Sequence, residues 1–340
     1  MSQVYDEDEE SRLAVIAEVA CRHYGFTEDC TYRLINLSEN ATYLVTNSIN
    51  GSESILRIHR ANYSSPQDIA SELAWMNALR EQAGVRTPQV VKANDGADII
   101  RVTADPKSSP RSCVMFEYLP GQEPSDDNLL ESFELLGEIA ARMHRHAESW
   151  KVPPNFTRRT WDLRSTIGDR AHWGNWRDGT GVTGATELLL GNVATSLRER
   201  LETYEHDSGR FGLVHADMRL ANLLIDQGNC SVIDFDDCGY SWYLWDLATA
   251  LTFIEDHPLA SELVRRWLLG YEEMRPLDQH DKQHISDLVM LRRLLVLAWL
   301  GSHSNTPLAK AENEEYTHVT CVLAERYLRN PFDLISLEKV

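Results

Sequence analysis

One stretch constrains the fold of this chain more than any other: residues 215–237, HADMRLANLLIDQGNCSVIDFDD. Two short apolar runs, Leu223–Asp226 and Cys230–Ile233, flank Gln227-Gly228-Asn229, a glycine-bearing loop that predicts a β-hairpin. Polar residues crowd its open end: His215, Asp217, Arg219 and Asn222 before the first strand, Asp234, Asp236 and Asp237 after the second. Ionisable groups beside buried strands are costly unless they compensate one another or meet a ligand. Pairing Asp226 with Cys230 sets Asn222 opposite Asp234, and directly opposed residues have Cβ atoms roughly 4.5–5.5 Å apart. An amide oxygen and a carboxylate so placed suit Mg2+, a hard cation that binds one or two carboxylates together with substrate phosphates. Zinc is disfavoured, because only His215 lies near as a nitrogen donor and the six cysteines contain no CxxC pair. An ordinary hairpin with polar ends would leave Asp217, Asn222 and Asp234 all incidental.

The surrounding pattern is α+β and two-lobed, divided at residues 1–118 and 119–340. The first part alternates short strands with one well-marked helix. Its strands are expected at Tyr32–Leu37, Thr42–Thr46, Ser54–His59, Gln89–Ala93 and Ser112–Tyr118, with Asn50-Gly51 as a tight turn. Alternation puts Ile55, Arg57 and His59 on one face of the third strand and Leu56 and Ile58 on the other. The helix starts at Ser65-Pro66 with Asp68 completing a capping box and stops before Gly84; Glu72 borders its apolar stripe and looks back toward the sheet. Pro120-Gly121 ends the last strand. Helices are then expected at Asn128–Trp150, Glu187–Tyr204, Tyr243–Glu255, Ser261–Met274, Lys282–Ser302 and Glu312–Leu328. Residues 157–184 read either as a loop-rich insertion over a site or as a weak helical pair.

Composition narrows the function. A hydrophobic content of 43% supports a sizeable core, and no apolar run approaches the ~20 residues of a membrane helix. The opening MSQVYDEDEE is acidic, unlike a secretory signal, so a cytoplasmic location is expected, with reduced, mostly buried cysteines. The formal charge of −19 argues against nucleic acid. Acidic residues outnumber basic ones 17 to 11 in 1–118 and 35 to 22 in 119–340. That field either favours a cationic small substrate or serves solubility.

The order HxDxxxxN, a hairpin and then Asp is the arrangement of protein kinases, where the first Asp is the base and the Asn and later Asp hold magnesium. VHADMRLANLLID followed by VIDFDDCGYSWYLWDLATAL most resembles the aminoglycoside phosphotransferase, choline kinase and type II homoserine kinase group. The resemblance implies a two-lobed protein-kinase-like fold with a small antiparallel-sheet lobe and a larger helical lobe, and transfer of phosphate from ATP (or another NTP) to a small-molecule hydroxyl. It makes Asp217 the base and Asn222 and Asp234 the Mg2+ ligands, with His215 and Asp246 in structural support. LSENATYLV resembles the hairpin over the nucleotide phosphates, contributing Ser38, Asn40 and Thr42. SILRIHR and ASELAWMNAL resemble the strand and helix whose cation and glutamate pair, here Arg57 and Glu72. VMFEYLPG resembles the connector that meets adenine, around Met115, Glu117 and Tyr118. LLGEIAARMHRH resembles the long helix opening the second lobe. Two departures stand out: the phosphate hairpin lacks glycine between Leu37 and Leu44, and Arg57 replaces the usual Lys.

Asp236 would contact a second cation or the acceptor, unless it belongs to a solvated turn. Arg219 would neutralise the transferred phosphoryl group or pair with a nearby aspartate. Trp161, Trp173, Trp176, Trp242, Tyr243 and Trp245 would wall an amine site, with core packing the rival account for Trp242 and Trp245. Trp299 and His303, one helical turn apart, face the same cleft or the interior. Three other functions compete. A DxD-type glycosyl- or phosphate-processing enzyme built on Asp234-Phe235-Asp236 leaves Asp217, Asn222, Arg57 and Glu72 unexplained. A silent nucleotide-binding module conflicts with the presence of Asp217. A protein kinase needs more than the eleven residues between Asp234 and Asp246 for an activation loop.

Overall fold

The computed structural model describes residues 7–26, 30–38, 40–61, 63–105, 108–205, 209–304, 306–335 and 337. The acidic start, 1–6, and Glu39 in the expected phosphate hairpin lie outside the described residues. The chain is α+β, an antiparallel sheet followed by a mainly helical region. A helix that the strand pattern does not announce, α1 (Glu7–His23), comes first. β1 (Cys30–Leu37), β2 (Ala41–Asn47) and β3 (Glu53–Ile58) follow as a meander. At the Asn50-Gly51 turn the Gly51 N–H donates to the Asn47 carbonyl at 2.8 Å. After α2 (Pro66–Gln82) come β4 (Val90–Val91), β5 (Ile100–Val102) and β6 (Arg111–Glu117). The sheet order is β1-β2-β3-β6-β4, with β5 also on β6.

Strand alternation gives this sheet two different faces. Leu56 and Ile58 of β3 join Tyr43, Val45, Cys113 and Met115 in a core closed by Leu13, Ile16 and Ala20 of α1. The other face carries Ile55, Arg57, Val114 and Phe116 toward the helical region. α2 has the expected capping box, with the Asp68 N–H donating to Ser65 Oγ at 3.1 Å, and ends at Gly84, whose φ of +66° completes the turn.

The second region contains α3 (Leu129–Ser149), α4 (Leu163–Thr166), α5 (Ala185–Glu205), β7 (Phe211–Val214), β8 (Leu223–Asp226), β9 (Asn229–Val232) and β10 (Gly239–Trp242). It continues with α6 (Trp245–Ala250), α7 (Ala260–Glu272), α8 (Gln279–Gln283), α9 (Ile285–Ser302) and α10 (Pro307–Arg329). Two expected helices are shorter than their apolar patterns. The one expected over Tyr243–Glu255 stops at Ala250, after which Phe253 takes a left-handed φ of 72°. The one expected over Lys282–Ser302 starts at Ile285, behind a separate α8 capped by Asp278. Residues 157–184 are an irregular insertion whose Arg158, Trp161, Trp173 and Trp176 are buried. α9 is buried along most of its length and forms the axis of this region. All six cysteines are free, with Cys21, Cys113 and Cys238 buried. No helix among the described residues is long and apolar enough to cross a membrane.

Candidate active site

β8 and β9 form the expected hairpin with a different register. Asp226 pairs with Asn229 and Ile225 with Cys230, so the loop has two residues, Gln227 (φ 48°) and Gly228 (φ 79°). Positive φ at both positions is the signature of a type I′ turn, whose twist matches that of the flanking strands. The three-residue loop expected from sequence is therefore corrected by one position. Asn222 lies opposite Ile233, whose N–H donates to the Asn222 carbonyl at 2.9 Å, rather than opposite Asp234. Asp234 follows with a left-handed φ of 61°, and both side chains line one cleft. Backbone in this sparsely populated region persists only where its surroundings hold it.

β7 and β10 pair across the site, Val214 with Gly239 and Phe211 with Trp242, bringing the loop at 215–222 beside the loop at 233–238. Asp246, fully buried at the start of α6, accepts the His215 N–H at 3.1 Å and the Ala216 N–H at 2.7 Å. Its Oδ2 also lies 3.0 Å from His144 Nε2, in the long α3. These bonds hold Ala216 at φ 67°. His215 is fully buried: its Nε2 donates to the Ile233 carbonyl at 3.0 Å, and its Nδ1 accepts the Asp217 N–H at 3.3 Å. These partners assign the neutral tautomer with the proton on Nε2.

Four contacts grip the Asp217 carboxylate. Arg219 Nε lies 3.1 and 3.2 Å from its two oxygens, Arg292 Nη2 donates to Oδ1 at 2.8 Å, and Asn222 Nδ2 donates to Oδ2 at 3.0 Å. Burial pushes its pKa upward, but Arg219, then Arg292, hold it below the usual carboxylate range. Arg219 thus takes the aspartate pairing that sequence left as one of two options.

Across the cleft, Arg57 Nη2 donates to Glu72 Oε1 at 2.5 Å, with the Arg57 guanidinium 5.2 Å from the centre of the Phe116 ring. Arg57 Nη1 lies 3.9 Å from Asp234 Oδ1. Burial opposes the Arg57 charge, but Glu72, then Asp236 and Asp234, raise its pKa on balance. Asp234, whose side chain is 49% exposed to the cleft, has its pKa raised by partial burial and by repulsion from Asp236 and Asp217, against the pull of Arg57. Asp236 behaves oppositely: burial raises it, yet Arg57 and its other cationic neighbours hold it low on balance. His59 is pushed down to about 3 by burial, then by Arg57. Arg57 Nε, Glu72 Oε2, Asp236 Oδ1 and both His59 nitrogens are buried without a hydrogen-bond partner among the described residues. Of these residues Arg57 and Asp236 line the cleft, whereas His59 lies behind them with Nδ1 3.8 Å from Asp236 Oδ1. No group of three or more His, Cys, Asp or Glu side chains placed to hold a metal occurs among the described residues. A cation here would instead draw on Asn222, Asp234 and ligand phosphates, the donor set that Mg2+ favours.

These elements enclose a cleft of about 770 Å³. Ser38, Asn40, Thr42, Glu117 and Tyr118 line its sheet side; Asp217, Asn222, Asp234 and Asp236 line its helical side. Thr252, Phe253, Arg292, Trp173 and Trp299 extend it beyond Asp217. Met115 is not part of this surface: strand alternation turns it into the α1 core, and Phe116 faces the cleft instead. Trp242 is likewise fully buried, edge-on to Phe211. Trp161 and Trp176 are buried, and Trp245 is fully buried, all in the core of the helical region. His303 stacks on Trp299 at 4.8 Å and meets Arg60 at 3.1 Å, in an adjoining cavity rather than the main cleft. Asp237 accepts from Arg159 at 3.4 Å, leaving it less available than Asp234.

Three arginines were not singled out from the sequence. Arg158 donates to the carbonyls of Cys238 at 2.6 Å, Asp68 at 3.0 Å and Asp236, tying α2 to the loop after β9. Arg159 packs on Tyr63, and Arg292 reaches Asp217. Only Arg292 carried a local signal, an arginine pair within the apolar run of α9.

Comparison with known proteins is consistent with this geometry. The solved structure of a microcompartment-associated aminopropanol kinase is 42% identical, has a TM-score of 0.86, and covers 94% of this chain and 98% of its own. Amicoumacin kinase of Bacillus subtilis (strain 168) is 27% identical over 84% of each chain. Hydroxylysine kinase of Bos taurus is 23% identical over 83% of this chain and 77% of its own. The model of the phosphotransferase enzyme family matches residues 31–277, from the meander to beyond α7. On that match, and on the protein-kinase-like architecture of its neighbours, the chain belongs to the phosphotransferase enzyme family.

Proposed function

We propose that this protein is a small-molecule kinase that transfers the γ-phosphate of ATP, with Mg2+, to the hydroxyl of a small amino alcohol. The observation that carries this reading is the position of the Asp217 carboxylate, held beside Asn222 and Asp234 in one cleft and facing the buried Arg57–Glu72 pair. Mg-ATP supplies the phosphoryl group and neutralises charge on it when bound. Residues 1–118 would contribute the phosphate-facing Ser38, Asn40, Thr42 and Arg57 and the connector backbone at Glu117–Tyr118; residues 119–340 would contribute the rest.

Asn222 and Asp234 would hold the cation. Arg57, anchored by Glu72, would draw charge from the phosphates with its remaining N–H groups. Asp217, kept ionised by its arginines, would orient the acceptor hydroxyl and accept its proton. Phosphoryl transfer depends mainly on positioning and electrostatic stabilisation, so this set suffices. The amino alcohol class rests on the 42% identity to an aminopropanol kinase and on the compact, aromatic-lined end of the cleft beyond Asp217. A DxD-type reading gains nothing from Asp236, which is buried against Arg57 and Arg158.

A screen of amino alcohols, hydroxy amino acids, sugars and aminoglycosides for acceptor-dependent ADP release tests the proposal. Asp217→Asn should lower turnover by about 10³-fold or more while leaving Mg-ATP affinity within a few-fold. Retained turnover in that variant would remove Asp217 from its role. Asp234→Asn should abolish metal-dependent nucleotide binding, and unchanged Mg-ATP affinity by calorimetry would contradict the ligand assignment.

A further inference from the structure

α9 carries two adjacent arginines in an otherwise apolar stretch, and both are buried, at 3% exposure for Arg292 and 1% for Arg293. Successive helical positions point about 100° apart, so the two serve different neighbours. Arg293 is explained by the core: it pairs with Glu255 at 2.7 Å and donates to Thr320 Oγ1 and the Tyr316 carbonyl. Arg292 runs to Asp217 instead. Its Nη2 donates to Asp217 Oδ1 at 2.8 Å, its Nε donates to Thr252 Oγ1 at 3.1 Å, and its guanidinium lies 5.4 Å from the centre of the Trp173 ring.

These contacts divide the work of holding Asp217. Arg219 is the looser partner, with a side chain 30% exposed and one N–H shared between both carboxylate oxygens. Arg292, with a side chain 4% exposed and anchored by Thr252 and Trp173, is the fixed one. It also stands where the acceptor must enter, since Thr252, Trp173 and Arg292 all line the cleft beyond Asp217. An amino alcohol offers a carboxylate two groups, and its ammonium is the stronger partner because charge-assisted hydrogen bonds exceed neutral ones. A bare Asp217 would therefore draw the wrong end of the substrate. The two guanidiniums occupy the carboxylate oxygens and offset the Asp217 charge, so an ammonium gains little at this carboxylate even with Asp234 and Asp237 nearby, while the neutral hydroxyl is admitted.

We propose that Arg292 is a positioning and specificity-determining residue: it fixes the Asp217 carboxylate and makes the acceptor enter hydroxyl first, with its ammonium away from the base. This rests on the reading of Asp217 as the base and of the acceptor as an amino alcohol.

The experiment compares wild type, R292Q and R292K with 1-amino-2-propanol as acceptor and with propylamine, which has the ammonium but no hydroxyl, as a competing ligand. R292Q should lose about 10²-fold in kcat with Mg-ATP affinity within about twofold of wild type, and should bind propylamine at least about tenfold more tightly by calorimetry. R292K keeps the charge without the planar fork, so it should exclude propylamine as wild type does while kcat falls at least about tenfold. A kcat within about threefold of wild type in either variant overturns the positioning role. Propylamine affinity that is the same in all three proteins overturns the specificity role. Should R292Q fail to bind Mg-ATP because it does not fold, R292K and T252V, which removes the anchor of Arg292, decide positioning through kcat, and tight propylamine binding by R292K overturns the charge argument. The functional reading fails separately, if wild type phosphorylates no amino alcohol or Asp217→Asn stays active; propylamine calorimetry reads the charge effect without turnover.

Discussion

Replacing Glu72 with alanine would test how this protein uses an arginine where a lysine is usual. The Arg57–Glu72 contact is 2.5 Å long, and the side chains are 8% and 0% exposed, so neither charge can be rehydrated in place. Removing one partner of a buried ion pair costs about 3–5 kcal/mol, because the survivor stays buried and uncompensated. Arg57 keeps two other carboxylates, Asp234 at 3.9 Å and Asp236 nearby, which lowers the expected loss to about 2–4 kcal/mol. Exchanging both residues together, as Arg57→Met with Glu72→Leu, should recover part of that stability, since an apolar pair of similar volume replaces the buried pair while Asp236 loses its main cationic partner. Urea unfolding followed by tryptophan fluorescence measures these differences, and calorimetry with Mg-ATP measures function. Nucleotide affinity should fall in both variants, by about tenfold or more in the double variant, which lacks the guanidinium; one charge-assisted hydrogen bond is worth about 1.5–3 kcal/mol. If Glu72→Ala costs less than about 1 kcal/mol, or the double variant is as unstable as the single one, the pair is not the buried, mutually dependent unit described here.

Other residues make separate predictions. Asp246→Ala leaves the N–H groups of His215 and Ala216 buried without their acceptor, so unfolding should cost about 2–5 kcal/mol less than in wild type and turnover should fall with little change in Mg-ATP affinity; unchanged kcat would show that the loop at 215–217 needs no such brace. His59 has a folded-state pKa pushed down to about 3, below its unfolded value, so the unfolded chain binds the proton first and stability falls as pH drops from about 6.5 toward 3. The loss should reach about 3–5 kcal/mol, and His59→Phe should flatten that part of the urea stability profile; an identical slope in the variant would place the titration elsewhere. Arg158→Met removes the link between α2 and the loop after β9, and should loosen Mg-ATP binding about tenfold or more; an affinity equal to wild type would limit Arg158 to packing.

The legible parts of the site were those whose neighbours are local in the chain. The β8–β9 hairpin, the capping box at Ser65 and the alternation along β3 each arise from interactions within a few residues. The register error at β8–β9 came from Gln227, a residue with no preference for positive φ that the hairpin nevertheless forces to 48°. The missing α1 has an apolar stripe that includes two alanines, Ala17 and Ala20, which bury well but signal weakly. The connector motif named the backbone around Met115 to Tyr118 but does not state which face of β6 looks into the cleft, and there it is Phe116 that does. β7 and β10 are four residues each, and pairing between such short strands is stabilised by what they pack against.

The order of residues alone determined the α+β architecture, the hairpin, and the presence of Asp217, Asn222 and Asp234 in one neighbourhood, whereas the pairing of Arg57 with Glu72 followed from the family resemblance. Periodicity, capping and turn chemistry act over a few residues, and these features are visible in them. Only the tertiary structure decided that Asp217 is gripped by Arg292, 75 positions away, and that Trp242 belongs to the core while Trp299 lines the cleft. Side chains brought together by helix packing have no periodic signature. Which buried charge meets which is settled by the way α9 packs on α6 and carries Arg292 to the loop at 215–222, because desolvation makes each buried group depend on partners that packing alone supplies.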